Sequence, residues 1–364
     1  MRRFFFSFAA ALAAGAAGLA GCGKAGDPPG RDGPEWATLD GRAPLVIAHR
    51  GASGYLPEHT LEAYALAIEQ GADIIEPDLV ITKDGVLIAR HDRYLSTTTD
   101  VADRPAFADR RRIDPDPNGN GRADWWVEDF TLAEINTLRA RQPRKGRPQE
   151  YNGLYAVPTF AEVLALAARE AQETGRPVGV YPETKHPGYF AGIGLDFEAP
   201  LLDALDGFDA GPVFIQSFEP DILKRLKGKS PHRLVQLVYE ETPGAGPNLP
   251  LSEVAAYAHA VGPQKSLLHD SADGPGAFVS EAHALGLAVH PWTFRDDAPS
   301  AVVSALCGPG APAPEQECGG AADIGEIEYA IFYRSGVDGV FSDFPDTAVR
   351  VRDAMSGAAP EARD

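Results

Sequence analysis

Residues 46–92 read VIAHRGASGYLPEHTLEAYALAIEQGADIIEPDLVITKDGVLIARHD. The stretch begins inside a β-branched apolar run, Leu45–Ala48. It passes through an Ala- and Leu-rich helical pattern at Thr60–Gln70 and returns to a β-branched run at Ile74–Ile81. Strand, helix, strand is the repeating unit of a parallel sheet. Downstream the alternation continues, with strand candidates at Val178–Tyr181, Val213–Gln216, Leu234–Val238, Ser266–Leu268, Ala288–His290 and Gly339–Phe341. Helical patterns fall between them at Thr159–Glu173, Glu253–Ala260 and Gly276–Leu285. Eight strands alternating with helices favour a closed (β/α)8 TIM barrel over an open sheet. No Gly-x-Gly-x-x-Gly follows the first strand, which counts against a dinucleotide fold. Residues from about 92 to 157 break the pattern. They are rich in Asp, Arg, Pro and Gly, carry one short helix signal at Leu132–Leu138, and read as an insertion after the second barrel strand.

The chain has 364 residues, with 33 Lys+Arg against 52 Asp+Glu, a net charge of −19, and 44% hydrophobic residues. That composition belongs to a globular protein. The acidic excess counts against a nucleic-acid partner, which calls for clustered positive charge. A phosphate-handling protein of this charge needs a local reversal of sign, from a metal or a few buried cations. Residues 1–21 read as a signal peptide: Arg2 and Arg3 precede a charge-free apolar run too short to span a membrane. The run ends Leu19-Ala20-Gly21-Cys22, which resembles the bacterial lipobox and marks Cys22 for lipidation; an ordinary signal with an incidental Cys is the other reading. Residues 22–43 are then a lipidated tether, 44–354 the barrel and 355–364 a C-terminal tail. The remaining cysteines, Cys307 and Cys318, are expected to form a disulfide in an oxidising compartment. The whole reads as an exported bacterial lipoprotein facing the periplasm or cell exterior.

Polar residues gather where barrel strands end, which is where such barrels place their chemistry. These are His49-Arg50, Glu76-Pro77-Asp78, His91-Asp92, Glu183-Thr184-Lys185, Gln216 and Trp292. Glu76 and Asp78 are two apart on a strand and share a face. Two such carboxylates repel, and a divalent ion completed by Glu183 would offset them; three carboxylates suit Ca2+ or Mg2+. An ion-pair network with Arg50, Lys185 and His49 is the alternative, and the spacing leaves both open. In the insertion, Asp114, Asp116, Asn118, Asn120 and Asp124 resemble an acidic calcium loop, although Trp125 occupies the twelfth position; a plain solvated turn is the competing reading. The basic run Arg139, Arg141, Arg144, Lys145 and Arg147 reads as a solvated face.

The 46–92 stretch resembles the glycerophosphodiester phosphodiesterase family, particularly its exported bacterial type. The similarity continues at Val180-Tyr181-Pro182-Glu183-Thr184-Lys185, at Val289-His290-Pro291-Trp292-Thr293, and from Gly339 to Asp346 in GVFSDFPD. The resemblance implies a barrel with an insertion after its second strand. It also implies hydrolysis of small glycerophosphodiesters to an alcohol and sn-glycerol 3-phosphate. It assigns His49 and His91 as catalytic acid and base. Glu76, Asp78 and Glu183 become ligands of one divalent metal ion, with Ca2+ favoured over Mg2+. Arg50 and Lys185 become phosphate-binding cations, with Glu58, Gln216 and Trp292 near the substrate. His59, His186, His232, His259, His269, His283 and His290 are expected to have no catalytic part. Membrane association is expected through the lipid anchor only. Two other functions compete: a phospholipase of the same barrel type acting on intact lipids, and a surface lipoprotein that works by binding a partner.

Overall fold

The first strand, Leu45–His49, lies between the last strand, Gly339–Ser342, and the second strand, with all three parallel. The structure, a computed structural model, describes residues 36–268, 275–298, 303 and 324–357. Cys22, Cys307, Cys318 and His269, together with the signal segment 1–21, lie outside the described residues.

The order of parallel pairing continues through Phe214–Ser217, Arg233–Val238, Ala260–Pro263 and Ala288–Val289. Phe294 pairs with Ser342, and Phe341 N–H donates to Pro291 O at 3.1 Å, which closes the circle. The fold is therefore the expected eight-stranded (β/α)8 barrel. Prolines interrupt two strands. Pro77 separates Ile74–Glu76 from Asp78–Ile81, and Pro182 separates Gly179–Val180 from Glu183–Thr184. Proline has no N–H for the ladder, so pairing breaks at both positions. The register places His49 beside Glu76, Asp78 beside Glu183, and Glu183 beside Gln216.

The sixth strand is Ala260–Pro263, not Ser266–Leu268, which forms part of a 3-10 turn at Lys265–Leu268. The helix expected over Glu253–Ala260 shrinks to Leu251–Val254. Gly262 and Pro263 are poor strand residues, but the glycine lets Leu237 pack closely against the strand. A Cβ on Gly262 would lie 2.6 Å from Leu237 Cδ2, and Gly262 O accepts the indole N–H of Trp292 at 2.8 Å.

The insertion starts with the hairpin strand Leu87–Ala89, antiparallel to Asp78–Ile81, and continues through short 3-10 turns to the helix Leu132–Ile135. Its Val127, Phe130, Ile135 and Leu138 join the same apolar core as the barrel helices, so it is part of the domain. The helix Phe160–Thr174 begins with a capping box between Thr159 and Glu162 and returns the chain to the barrel. The expected tether is too long at its C-terminal end. Trp36 stacks edge-on against Tyr333, and Leu39 N–H donates to Asp338 at 2.6 Å, so the chain is already docked there.

Candidate active site

The strand ends bring Glu76, Asp78 and Glu183 together, with one carboxylate oxygen from each within 4.8 Å of the others. All three are buried. Arg50 Nε lies 3.3 Å from Asp78, and its NH1 donates to Glu58 at 3.1 Å. Lys185 Nζ donates to Glu183 at 2.7 Å. The ion-pair network considered from spacing thus exists, but it leaves the carboxylates under-compensated. Burial, with repulsion from Asp78 and Glu183, pushes Glu76 well above the usual carboxylate range. Burial likewise drives Glu183 up to about 8, against the pull of Lys185. Asp78 also pays for burial, but Lys185 and Arg50 outweigh it and hold the group well below its ordinary value. Gln216 donates to Glu76 at 2.9 Å, while its buried Oε1 has no hydrogen-bond partner among the described residues. Three buried hard oxygen donors beside an unpartnered amide oxygen fit a divalent cation.

The two expected catalytic histidines border one cavity of about 120 Å³, together with Arg50, Glu76, Glu183, Lys185, Gln216 and Trp292. His49 ends the first strand, and its Nδ1 donates to Asp343 at 2.6 Å. Burial lowers the imidazole to about 4, Arg50 adds to the effect and Asp343 opposes it, so His49 is neutral near pH 7. With Nδ1 occupied, Nε2 carries the lone pair; it accepts from Arg50 Nε at 3.2 Å. His91 follows the hairpin strand and bonds Asp92 at 2.7 Å through Nδ1; about a third of its side chain (34%) is exposed. It faces a second space of about 1140 Å³, whose walls include Glu183, Lys185, Phe218 and the insertion turn Asp114–Asn120. Glu58 joins the site through its bond from Arg50.

Strand patterning misses three residues that complete this arrangement. Asp343, just past the last strand, accepts from His49, from Arg147 at 2.6 Å and from Arg295 at 3.0 Å. Its place in the Ser342-Asp343-Phe344 motif was the available signal. Arg147 corrects the reading of the basic run: its side chain is 4% exposed and reaches from the insertion into the barrel end. Arg144 and Lys145 do stay exposed. His59 is a fully buried histidine, as a core reading allows, but it touches Asp78 at 2.9 Å. His290 is a core residue bonded to Tyr181, and His283 pairs with Asp338.

The acidic loop does not stand apart from the site, since Asp114–Asn120 lines the wider cleft. Its carboxylates turn to arginines and backbone. Asp114 accepts from Arg93 at 2.6 Å, and Asp124, in the short strand Ala123–Asp124, accepts from Arg122 at 2.7 Å. Asp116 accepts from Asn118 N–H, and Asn120 from Arg122 N–H, as in a plain Asx-rich turn.

Paired histidines, buried carboxylates and two cations at the strand ends of a closed α/β barrel suit hydrolysis of a phosphodiester. The chain belongs to the glycerophosphoryl diester phosphodiesterase family, whose pattern matches residues 49–347. A glycerophosphodiester phosphodiesterase of Arabidopsis thaliana is 35% identical over 284 residues, covering 70% of this chain and 75% of that protein. One from Haemophilus influenzae is 33% identical over 355 residues, covering 84% and 88%. Among solved structures, a phosphodiesterase of Oleispira antarctica in complex with the product sn-glycerol-3-phosphate superposes with a TM-score of 0.57 at 21% identity. The match covers 87% of this chain and 99% of that one, and supports the fold.

Proposed function

We propose that the chain hydrolyses small glycerophosphodiesters to an alcohol and sn-glycerol 3-phosphate, with His49 and His91 as acid–base pair. The observation that carries this reading is the single cavity bordered by both histidines, by the carboxylates Glu76 and Glu183 and by two cations, Arg50 and Lys185. A divalent cation held by Glu76, Asp78 and Glu183, calcium before magnesium, would supply positive charge to the phosphoryl oxygens and lower the pKa of a nearby hydroxyl. Arg50 and Lys185 add positive charge where the phosphate gains negative charge. Neutral His49 removes the proton of the glycerol 2-hydroxyl through Nε2, its ring held by Asp343. The 2-oxygen bonds to phosphorus as the bond to the departing alcohol breaks. His91, on the side of the larger cleft, enters the step as the imidazolium with Nδ1–H held by Asp92 and protonates that alkoxide from Nε2. Water then opens the cyclic phosphate with the two roles reversed: His91 takes the water proton and His49 returns one to the 2-oxygen. The attack is intramolecular, which gives it a proximity advantage.

The cleft beyond His91 mixes the carboxylates Asp92, Asp116 and Glu219 with apolar walls from Trp126, Tyr189 and Phe218. Purified protein given glycerophosphocholine, glycerophosphoethanolamine and a matched phospholipid should release sn-glycerol 3-phosphate from the first two. Cleavage of the phospholipid alone would reverse the assignment. The Leu19-Ala20-Gly21-Cys22 pattern further supports an exported, lipid-anchored protein. Mass spectrometry of the membrane fraction should find an acylated Cys22 at the mature N-terminus, and soluble protein cleaved elsewhere would refute the anchor.

A further inference from the structure

His59 has no place in the acid–base step, yet it is fully buried and both of its ring nitrogens are engaged. Nε2 lies 2.9 Å from Asp78 Oδ2, and Nδ1 lies 2.7 Å from the hydroxyl of Tyr64. An ionised carboxylate can only accept, so Nε2 carries the hydrogen. Nδ1 is then the acceptor, and Tyr64 donates to it. Tyr64 is itself fully buried in the helix Leu61–Glu69, so the base of this chain is rigid. Arg50 Nε approaches the same Asp78 oxygen at 3.3 Å. Both contacts, the hydrogen bond from His59 and the ion pair with Arg50, fall on Oδ2, and Oδ1 is left to the side where Lys185 stands 3.8 Å away beside Glu183.

The backbone gives a second, independent reason to look here. His59 has φ 58° and Arg50 φ 62°, both in the left-handed region that non-glycine residues seldom occupy. His59 N–H donates to Arg50 O at 3.1 Å, so the two strained residues hold each other. Such strain persists where the surrounding structure over-determines it, and it clusters at functional sites.

We propose that Tyr64 and His59 form a positioning relay that fixes which oxygen of Asp78 faces the divalent cation, and so sets cation affinity. The proposal rests on the assignment of Glu76, Asp78 and Glu183 as the cation's ligands. A carboxylate already locked in orientation has less freedom to lose when it binds, and outer partners of this kind typically govern affinity by about 10- to 100-fold.

Isothermal titration of the metal-stripped protein with calcium chloride tests it, with circular dichroism melts of the same samples. His59→Leu should weaken calcium binding by roughly 10- to 100-fold. His59→Gln carries the same left-handed strain, but its amide nitrogen can reach the position of Nε2, so it should recover most of the affinity. Tyr64→Phe keeps the ring and removes only the donor to Nδ1; it should weaken binding severalfold, and it carries the test alone should His59→Leu not fold. Wild-type affinity in Tyr64→Phe and His59→Leu would overturn the relay, as would equal losses in the Leu and Gln variants. If the wild-type protein binds no divalent cation, the ligand assignment fails and the relay with it; if it binds and the variants match it, the relay alone fails.

Discussion

His49 owes its readiness to a neighbour that takes no direct part in the chemistry. Asp343 accepts from the imidazole and from two arginines. Burial would push its carboxyl up, but His49, Arg295 and Arg147 outweigh that and hold it well below the usual range. An ionised Asp343 keeps the hydrogen of His49 on Nδ1 and the lone pair on Nε2. Asp343→Asn can present its amide N–H instead, which favours the wrong tautomer. We expect kcat to fall by about 10²- to 10⁴-fold while calcium affinity, read by titration, stays near wild type. An unchanged kcat would detach Asp343 from the reaction. His49, His91, Glu76, Asp78, Glu183, Arg50 and Lys185 were legible because each stands at a strand end beside a recognisable neighbour. Arg147 was not legible. It sits among exposed basic residues and finds Asp343 across 196 positions, a distance that local charge pattern cannot register.

At the scale of elements, β-branched runs identified most of the barrel strands, and the failures have physical causes. Pro77 splits a strand that reads as continuous, and the third strand, expected to end at Tyr181, resumes beyond Pro182 at Glu183–Thr184, because a proline nitrogen cannot pair. The sixth strand was displaced because Ala260-Val261-Gly262-Pro263 has few strand-forming side chains, and neighbours on both sides impose its pairing. The link between the segment after the seventh strand and the last helix offers a pH test. Asp296, half-buried, accepts from Thr347 at 2.7 Å. Burial raises it to about 6, against the bond from Thr347. The folded state therefore retains a proton that the unfolded chain releases, so this stability is present below about pH 3.8 and is lost as pH rises through about 6. Two pH units correspond to about 3 kcal/mol, and partial exposure reduces this to about 1 kcal/mol. Urea unfolding should show Asp296→Asn more stable than wild type by about 1 kcal/mol at pH 8 and equal to it at pH 4. A gain independent of pH would mean that packing, and not ionisation, sets the difference.

Across the whole molecule, a chain of net charge −19 handles a phosphate by reversing sign locally. Arg50 and Lys185 stand at the strand ends among carboxylates that they only partly neutralise, and Arg147 and Arg295 are bound to Asp343 beside His49. Part of the acidic excess, Asp92, Asp116 and Glu219, stands in the outer cleft among aromatic walls. The barrel class and the catalytic strand ends were readable because they depend on local pattern and ordered motifs. The insertion's contribution was not, because its turn Asp114–Asn120 resembles a free-standing calcium loop until folding sets it against the cleft. The central claim is that hydrolysis at these strand ends depends on a cation held by Glu76, Asp78 and Glu183. Release of sn-glycerol 3-phosphate from glycerophosphocholine should therefore be followed in protein exhaustively stripped of metal, then resupplied with calcium. The account predicts that stripping abolishes release, that calcium restores it, and that Glu76→Gln is not restored; full release from protein shown to contain no metal would contradict it.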